Sequence, residues 1–332
     1  MRIALVTDAW VPQINGVVRT LSRIVEELRA DGHEVLVVSP EKFRTVPCPT
    51  YPEIRLAVWP FAGVRRLLDD FGPEAIHIAT EAPLGWAARR YCRKRGLPFT
   101  TSFHTRFPEY VQARTRLPPA LGYAVIRRFH KPAARIMVAT KTIHDELEKR
   151  GIPRLVMWSR GVDTQLFRPQ AKDALDLPRP IHLYVGRVAV EKNIHAFLDL
   201  DLPGSKAVVG GGPMLDELRR QYPGVAFVGP KQGEDLARHY AAGDVFVFPS
   251  KTDTFGLVML EALACGLPVA AYPVPGPLDV IDGHGIGVLD EDLGKAVAAA
   301  REIPSEHCRN FALSFSWRNC ARQFLAYLEP IG

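Results

Sequence analysis

PSKTDTFGLVMLEALACGLPVAAY, residues 249–272, joins two apolar strands through one polar loop and one helix. The run VFVFP enters it and PVAAY leaves it, and between them residues 256–265 have the length and composition of a buried helix. Phe255-Gly256 opens that helix. The first N–H groups of a helix have no intrahelical partner, and the macrodipole adds partial positive charge there, so this start can bind a phosphate. Asp253 lies before the helix and Glu261 inside it, with seven residues between. Carboxylates accept strongly from hydroxyls, which suits a polyol ligand. The bland reading makes Asp253 a neighbour of the helix cap and Glu261 a surface ion-pair partner. Glu261, however, sits between Leu260 and Ala262 in an otherwise apolar helix. A carboxylate there needs a partner, and a ligand is a candidate.

The same strand–helix alternation extends in both directions. Downstream of residue 180 come IHLYVGR, KAVVGGG, VAFVGP, VFVFPS and PVAAY, with helical patterns between them. Upstream, RIALVTD, EVLVVSP, AIHIAT, PFTTSFH and ARIMVAT alternate with helices near 17–31, 84–95 and 141–150. Such alternation makes a parallel sheet covered by helices on both faces. The Pro-rich, polar stretch near 166–180 reads as a linker. Two doubly wound α/β domains are therefore expected, 1–166 with a returning segment at 315–332, and 167–314. Ligands in such sheets bind beyond the carboxyl ends of the strands. If the two domains face each other, both edges line one cleft, a geometry suited to two substrates.

Further candidates stand at those strand ends. In VGRVAVEKN, Gly186-Arg187 ends a strand and Lys192 follows five positions later. The pair can converge on one anion, Arg as a fork and Lys as a point charge; pairing with Glu191 is the plain alternative. Gly210, Gly211 and Gly212 after KAVV permit close backbone approach, to a ligand or simply in a tight turn. They form neither a dinucleotide fingerprint nor a Walker A loop, which removes the oxidoreductase reading. Asn15-Gly16 stands at a helix start after the first strand, where it is either a phosphate contact or a turn. His104 ends the strand in SFHTRFPEY.

Composition sets the frame. The 332 residues are 47% hydrophobic, ample for buried cores. The net charge of +6 is unevenly placed: residues 1–166 hold 26 Lys and Arg against 16 Asp and Glu. Between Arg89 and Arg135 the only acidic residue is Glu109, and basic residues alternate with Phe107, Tyr110, Leu117, Leu121, Tyr123, Val125, Ile126 and Phe129. That mix fits an interfacial surface for an anionic partner better than a solvated face. No apolar run is long enough for a membrane span, and the five cysteines show no C-x-x-C spacing, so a reduced cytosolic protein is expected.

SFHTRFPEY (102–110), WSRGVDTQLFRP (158–169) and TDTFGLVMLEALACG (252–266) together resemble the retaining glycosyltransferases of family 4 over nearly the whole chain. The branch most resembled contains bacterial GDP-mannose-dependent α-mannosyltransferases and diacylglycerol or sulfolipid glycosyltransferases. The resemblance implies the GT-B architecture, an α/β fold of two facing Rossmann-like doubly wound domains with an interdomain cleft. It also implies transfer of a hexose-type sugar from a UDP- or GDP-sugar, with no cofactor and no metal. Arg187 and Lys192 match the pair on the donor diphosphate, and Glu261 the glutamate on the ribose. Asp253 stands where the family has the first glutamate of E-x7-E, on the sugar hydroxyls. Phe255, Gly256, Leu257 and Val258 match the loop and helix start against phosphates and sugar, with Gly186 and Gly211 in the adjoining turns. Val228 to Lys231 fall where the nucleobase pocket is expected. Gly16 matches one glycine of an N-terminal loop, although Asn15 replaces its usual partner. His104 resembles a histidine that contacts the transferred sugar, and FSWRNCARQFLAYLEP (315–330) resembles a last helix crossing back onto the first domain. The family works by front-face attack, in which the departing phosphate takes the acceptor's proton. A membrane lipid such as diacylglycerol is the expected acceptor, on the inner face of the cell membrane, with the basic 89–135 segment on anionic lipid. A soluble or phosphorylated acceptor is the alternative. A non-catalytic membrane or nucleic-acid module is a remote one, and no nucleic acid partner is expected.

Overall fold

The computed structural model describes every residue except Ile14, residues 49–50, residues 110–117 and Thr254, with backbone alone for residues 51–53. Tyr110 and Leu117, two of the aromatic and apolar residues noted in the basic segment, lie outside the described residues. The chain divides into two units, Met1–Arg160 with Trp317–Gly332, and Gly161–Ser316.

Unit 1 is built on a parallel sheet of β1 (Arg2–Val6), β2 (Glu34–Val38), β5 (Ala75–Ile78), β6 (Thr100–Phe103), β7 (Arg135–Val138) and β8 (Leu155–Met157). The strand order is β2-β1-β5-β6-β7-β8. An antiparallel pair, β3 (Thr45–Cys48) and β4 (Tyr51–Ala57), is inserted after β2. Central strands buried on both faces read as unbroken apolar runs, as Ile3–Val6 do. Crossover direction puts helices Phe61–Phe71, Pro83–Arg95 and Pro119–His130 on one face of the sheet. Their Val64, Leu68, Leu84, Ala88, Tyr123, Ile126 and Phe129 share one core with Val6, Ile76 and Ile136. Helix Gly16–Ala30 packs against the C-terminal helix Trp317–Tyr327. That last helix is fastened by Trp158 Nε1 donating to Cys320 O at 3.1 Å and by Ser159 Oγ donating to Gln323 Oε1 at 2.8 Å.

Unit 2 has the parallel order β11-β10-β9-β12-β13-β14. The strands are β9 (Ile181–Val185), β10 (Ser205–Val209), β11 (Ala226–Gly229), β12 (Val245–Phe248), β13 (Val269–Ala271) and β14 (Gly287–Leu289). IHLYV and VFVF, the two central strands, are wholly buried. Strand order reverses between β9 and β12, so a crevice opens between the loops that follow them.

The stretch 166–180 is not a free linker. Lys172 Nζ and Arg179 Nη2 both reach Asp244 Oδ1, at 2.8 and 2.6 Å. Arg309 donates to the carbonyls of Thr164 and Phe167, at 2.9 and 2.7 Å. The stretch belongs to unit 2, Gly161–Ser316, and the chain passes between units after Arg160 and again before Trp317.

Candidate functional site

The loops after β9, β10, β11 and β12 are laced into one rim at the carboxyl edge of the unit 2 sheet. Gly210 N donates to Gly229 O at 2.9 Å, and Val188 N donates to Gly211 O at 2.9 Å. Thr252 Oγ1 donates to Glu191 O at 3.2 Å, and Asn193 Nδ2 to Pro249 O at 3.0 Å. Asn193 itself is left-handed, at φ 51°, a conformation asparagine tolerates better than most residues. The glycines serve this lacing. A Cβ on Gly210 would meet Gly186 O at 1.8 Å and one on Gly212 would meet Val188 O at 2.3 Å. Gly211 has only Pro230 carbons at 3.7 Å and more, ordinary contact. The close approach that the triple glycine permits is therefore of one loop to its neighbour.

Within the rim, the residues after β9 meet those after β12. Lys192 Nζ lies 2.5 Å from Asp253 Oδ1. An ammonium has three donors, so it can hold Asp253 and still present N–H to a second anion. Asp253 Oδ2 is buried and has no hydrogen-bond partner among the described residues. A buried carboxylate oxygen in that state favours any hydroxyl brought to it. Arg187 Nε stands 3.9 Å from Glu191 Oε1, a loose pairing, and its backbone carbonyl accepts from Tyr184 OH at 2.7 Å.

Helix Leu257–Ala264 begins at Gly256, whose φ of 82° is a left-handed cap that glycine adopts without strain. Being glycine, the cap residue has no side chain to occupy the first N–H groups. Leu257 and Val258 form its first turn, and Phe255 is buried beside it. Glu261 is 3% exposed, and its partner is the phenol of Tyr240, which donates to Oε2 at 2.8 Å. The carboxylate's need for a partner is met by Tyr240 from helix Gly233–Ala242, which nothing in the sequence around Glu261 signals. Val228 lies half-buried in β11, and Lys231 pairs with Asp235 at 3.0 Å. Arg187, Lys192, Asp253, Phe255 and Gly256 thus occupy the two loops flanking the switch point, with Gly186, Gly211 and Val228 on adjoining strand ends.

His104 and Gly16 belong to unit 1. Asn15 Oδ1 accepts from Val17 N and Val18 N, both at 3.0 Å, so Asn15-Gly16 forms a helix cap that occupies two of the N–H groups a phosphate would use. His104 Nδ1 lies 3.4 Å from Arg160 Nη2, a group that can only donate. Burial and the Arg160 charge hold the His104 ring well below the usual histidine range, hence neutral. Its proton is then on Nε2, donated to Ser102 Oγ at 2.8 Å. Ser102 in turn meets His77 Nε2 at 3.1 Å, and His77 Nδ1 meets Thr100 Oγ1 at 2.9 Å. Burial pushes His77 down to about 3. Arg160 also donates to the carbonyls of Trp158 and Ser159 and stacks over the Trp158 ring at 4.4 Å. Both ring nitrogens of His104 are therefore engaged within unit 1. Near the end of β1, Asp8 accepts from Leu84 N and Gly85 N, capping helix Pro83–Arg95, and burial raises it to about 6.

Among the described residues, His144, Asp145 and Glu148 are the grouping close enough to share a cation, with ligand atoms within 4.8 Å. They lie on helix Lys141–Lys149 of unit 1, and Lys141 already holds Asp145 at 2.7 Å. Among the described residues no helix is long and apolar enough to cross a membrane.

Residues 14–166 match the model of Glycosyltransferase Family 4, and residues 179–303 match that of Glycosyl transferases group 1. Over its full length the chain is 31% identical to a GDP-mannose-dependent alpha-mannosyltransferase of Mycobacterium tuberculosis, covering 97% of that protein. It is 30% identical over 84% of its length to the sulfoquinovosyl transferase SQD2 of Arabidopsis thaliana, 61% of which it covers. It is 26% identical to an alpha-monoglucosyldiacylglycerol synthase of Streptococcus pneumoniae, over 90% of this chain and 78% of that one. Among solved structures, a sucrose-phosphate synthase of Thermosynechococcus elongatus superposes with a TM-score of 0.81 at 23% identity, over 98% and 97% of the two chains. The UDP-glucose complex of Anabaena HepE superposes at 0.76 and 15% identity, over 98% of each. Two parallel Rossmann-like sheets, a laced rim at the switch point of the second and these matches along the whole chain lead to one assignment: this protein is a glycosyltransferase of the GT-B fold and belongs to glycosyltransferase family 4.

Proposed function

We propose that the chain transfers a hexose, with retention of configuration and without a metal, from a UDP- or GDP-sugar to a membrane lipid acceptor such as diacylglycerol. The observation that carries the donor half is the meeting of Lys192, Asp253 and the Gly256 helix start at the unit 2 switch point. There the donor diphosphate lies against Lys192, Arg187 and the N–H groups of Leu257 and Val258, whose positive charge offsets what develops on the leaving phosphate. Glu261, anchored by Tyr240, takes the ribose hydroxyls, and the open Oδ2 of Asp253 takes a sugar hydroxyl. The transferred sugar is the ligand proposed for His104, whose neutral ring Ser102 and Arg160 orient.

The lipid half rests on the names of relatives and on unit 1. The basic segment is thinner than its sequence suggests: Arg89 donates to the carbonyls of Arg128 and Phe129, Arg106 pairs with Glu146, and Arg135 with Glu329. On helix Pro119–His130 of this segment, Leu121 and Val125 are 62% and 53% exposed beside Arg127 and Arg128. This supports attachment to the inner, cytoplasmic face of an anionic membrane. The second reading is a GDP-mannose-dependent α-mannosyltransferase with a soluble or phosphorylated acceptor. It is favoured by three relatives of that name at 30 or 31% identity. Purified protein is incubated with UDP- and GDP-sugars and diacylglycerol vesicles, and products are read by mass spectrometry. A glycosylated lipid is expected; transfer to soluble acceptors alone would select the second reading, and no transfer would remove both.

A further inference from the structure

Trp59 is 92% exposed and stands at φ 50°, a left-handed backbone that a bulky side chain rarely adopts. Nothing in a folded monomer gains from holding an indole outside in a strained turn, so the position points to an occupant. The turn lies between β4 and helix Phe61–Phe71, with Val58 also exposed. Its surroundings are cationic. Arg90 and Lys94 lie over the Phe61 ring, at 4.5 and 5.5 Å, and Arg65 and Arg66 face solvent on the following helical turn. The nearest acidic neighbour in the helix, Asp69, is held by Arg95 at 2.9 Å.

We propose that the Trp59 turn is a docking point for an anionic lipid surface, the indole entering the headgroup layer and Arg65, Arg66, Arg90 and Lys94 meeting lipid phosphates. The inference deepens the lipid-acceptor reading and rests on it for its purpose. An indole has an apolar body and one polar N–H, which suits headgroup depth. Clustered Lys and Arg supply attraction to an anionic leaflet. A single ring on a convex turn offers little area to a protein partner, which needs an extended complementary patch. The helices that carry these cations belong to the layer that presents Leu121 and Val125.

The test uses the full chain with vesicles of phosphatidylglycerol and phosphatidylcholine, and of phosphatidylcholine alone. The wild type should co-sediment with the anionic vesicles, and brominated lipid should quench part of its tryptophan fluorescence. Trp59→Ala should bind about tenfold more weakly, and in Trp59→Phe that part of the quenching should vanish. Arg65→Ala/Arg66→Ala should weaken anionic binding alone. Trp59, Arg65 and Arg66 are exposed, so these variants should keep the wild-type circular dichroism spectrum and melting temperature, which certifies their fold. Wild-type binding by Trp59→Ala, or no Trp59-dependent quenching, would overturn the proposal, as would Trp59-dependent binding of a single-stranded oligonucleotide in place of vesicles. Lys192→Ala separates the two readings: it should dock normally and transfer nothing. Docking by a wild type that glycosylates no lipid would leave the surface standing and remove the lipid acceptor.

Discussion

Replacing Tyr240 by Phe deletes one oxygen and tests whether Glu261 is a prepared ligand-binding group. The phenol donates to a carboxylate that is 3% exposed, at 2.8 Å. A hydrogen bond to a charged group contributes about 1.5–3 kcal/mol. For a unit of this size that is a fall in Tm of roughly 3–10 °C, read by calorimetry with and without nucleotide. The functional consequence differs in kind. Glu261 would lose its orientation toward the ribose, so donor KM should rise about tenfold while kcat changes little, the pattern of a lost uniform binding interaction. The donor's 2′,3′-dideoxy analogue, which lacks the hydroxyls, should bind Tyr240→Phe and wild type nearly alike. Equal donor KM in the two proteins, or an equal penalty for the dideoxy analogue, would refute the reasoning.

Two adjacent glycines make a paired prediction: Gly210→Ala, whose Cβ would press on Gly186 O at 1.8 Å, should destabilise unit 2 by on the order of 3 kcal/mol, whereas Gly211→Ala should leave thermal stability nearly unchanged. His77 gives a pH dependence. Its folded value is depressed from 6.5 to about 3, so between those limits the unfolded chain binds the extra proton and stability is lost as pH falls. Urea unfolding of His77→Gln should show a stability-versus-pH slope shallower by about 1.4 kcal/mol per pH unit in that window; an unchanged slope would show that His77 titrates normally. Ser102→Ala should cost activity although Ser102 is buried, because it removes the acceptor of the His104 Nε2 proton; full activity would detach the His104 ring from the mechanism.

How far these features could be read from the chain depends on where their causes lie. Parallel strands buried on both faces are continuous apolar runs, so IHLYV and VFVF were legible, as were the helices between them. The pair β3–β4 was not: TVPC carries a proline and has no apolar run. The 166–180 stretch looks like a linker by composition, while the ion pairs of Lys172 and Arg179 with Asp244 are long-range and leave no local trace. Lys192, Asp253 and Glu261 were readable because their chemistry conflicts with apolar neighbours or sits at strand ends. Tyr240 was hidden, being one more apolar-face residue of a helix, with a carboxylate 21 positions away. Likewise Trp59 is an ordinary letter in LAVWPF until its backbone and exposure are known.

Donor binding requires a pyrophosphate-sized anion to be held where the loop after β9 meets the loop after β12. Calorimetric titration of GDP and of UDP into the wild type and Lys192→Ala, in chelator-treated buffer, tests that most directly. One of the two nucleotides should bind the wild type without added divalent metal, and Lys192→Ala should bind it at least about tenfold more weakly. Absence of binding by either nucleotide, or equal affinity in the variant, would contradict it.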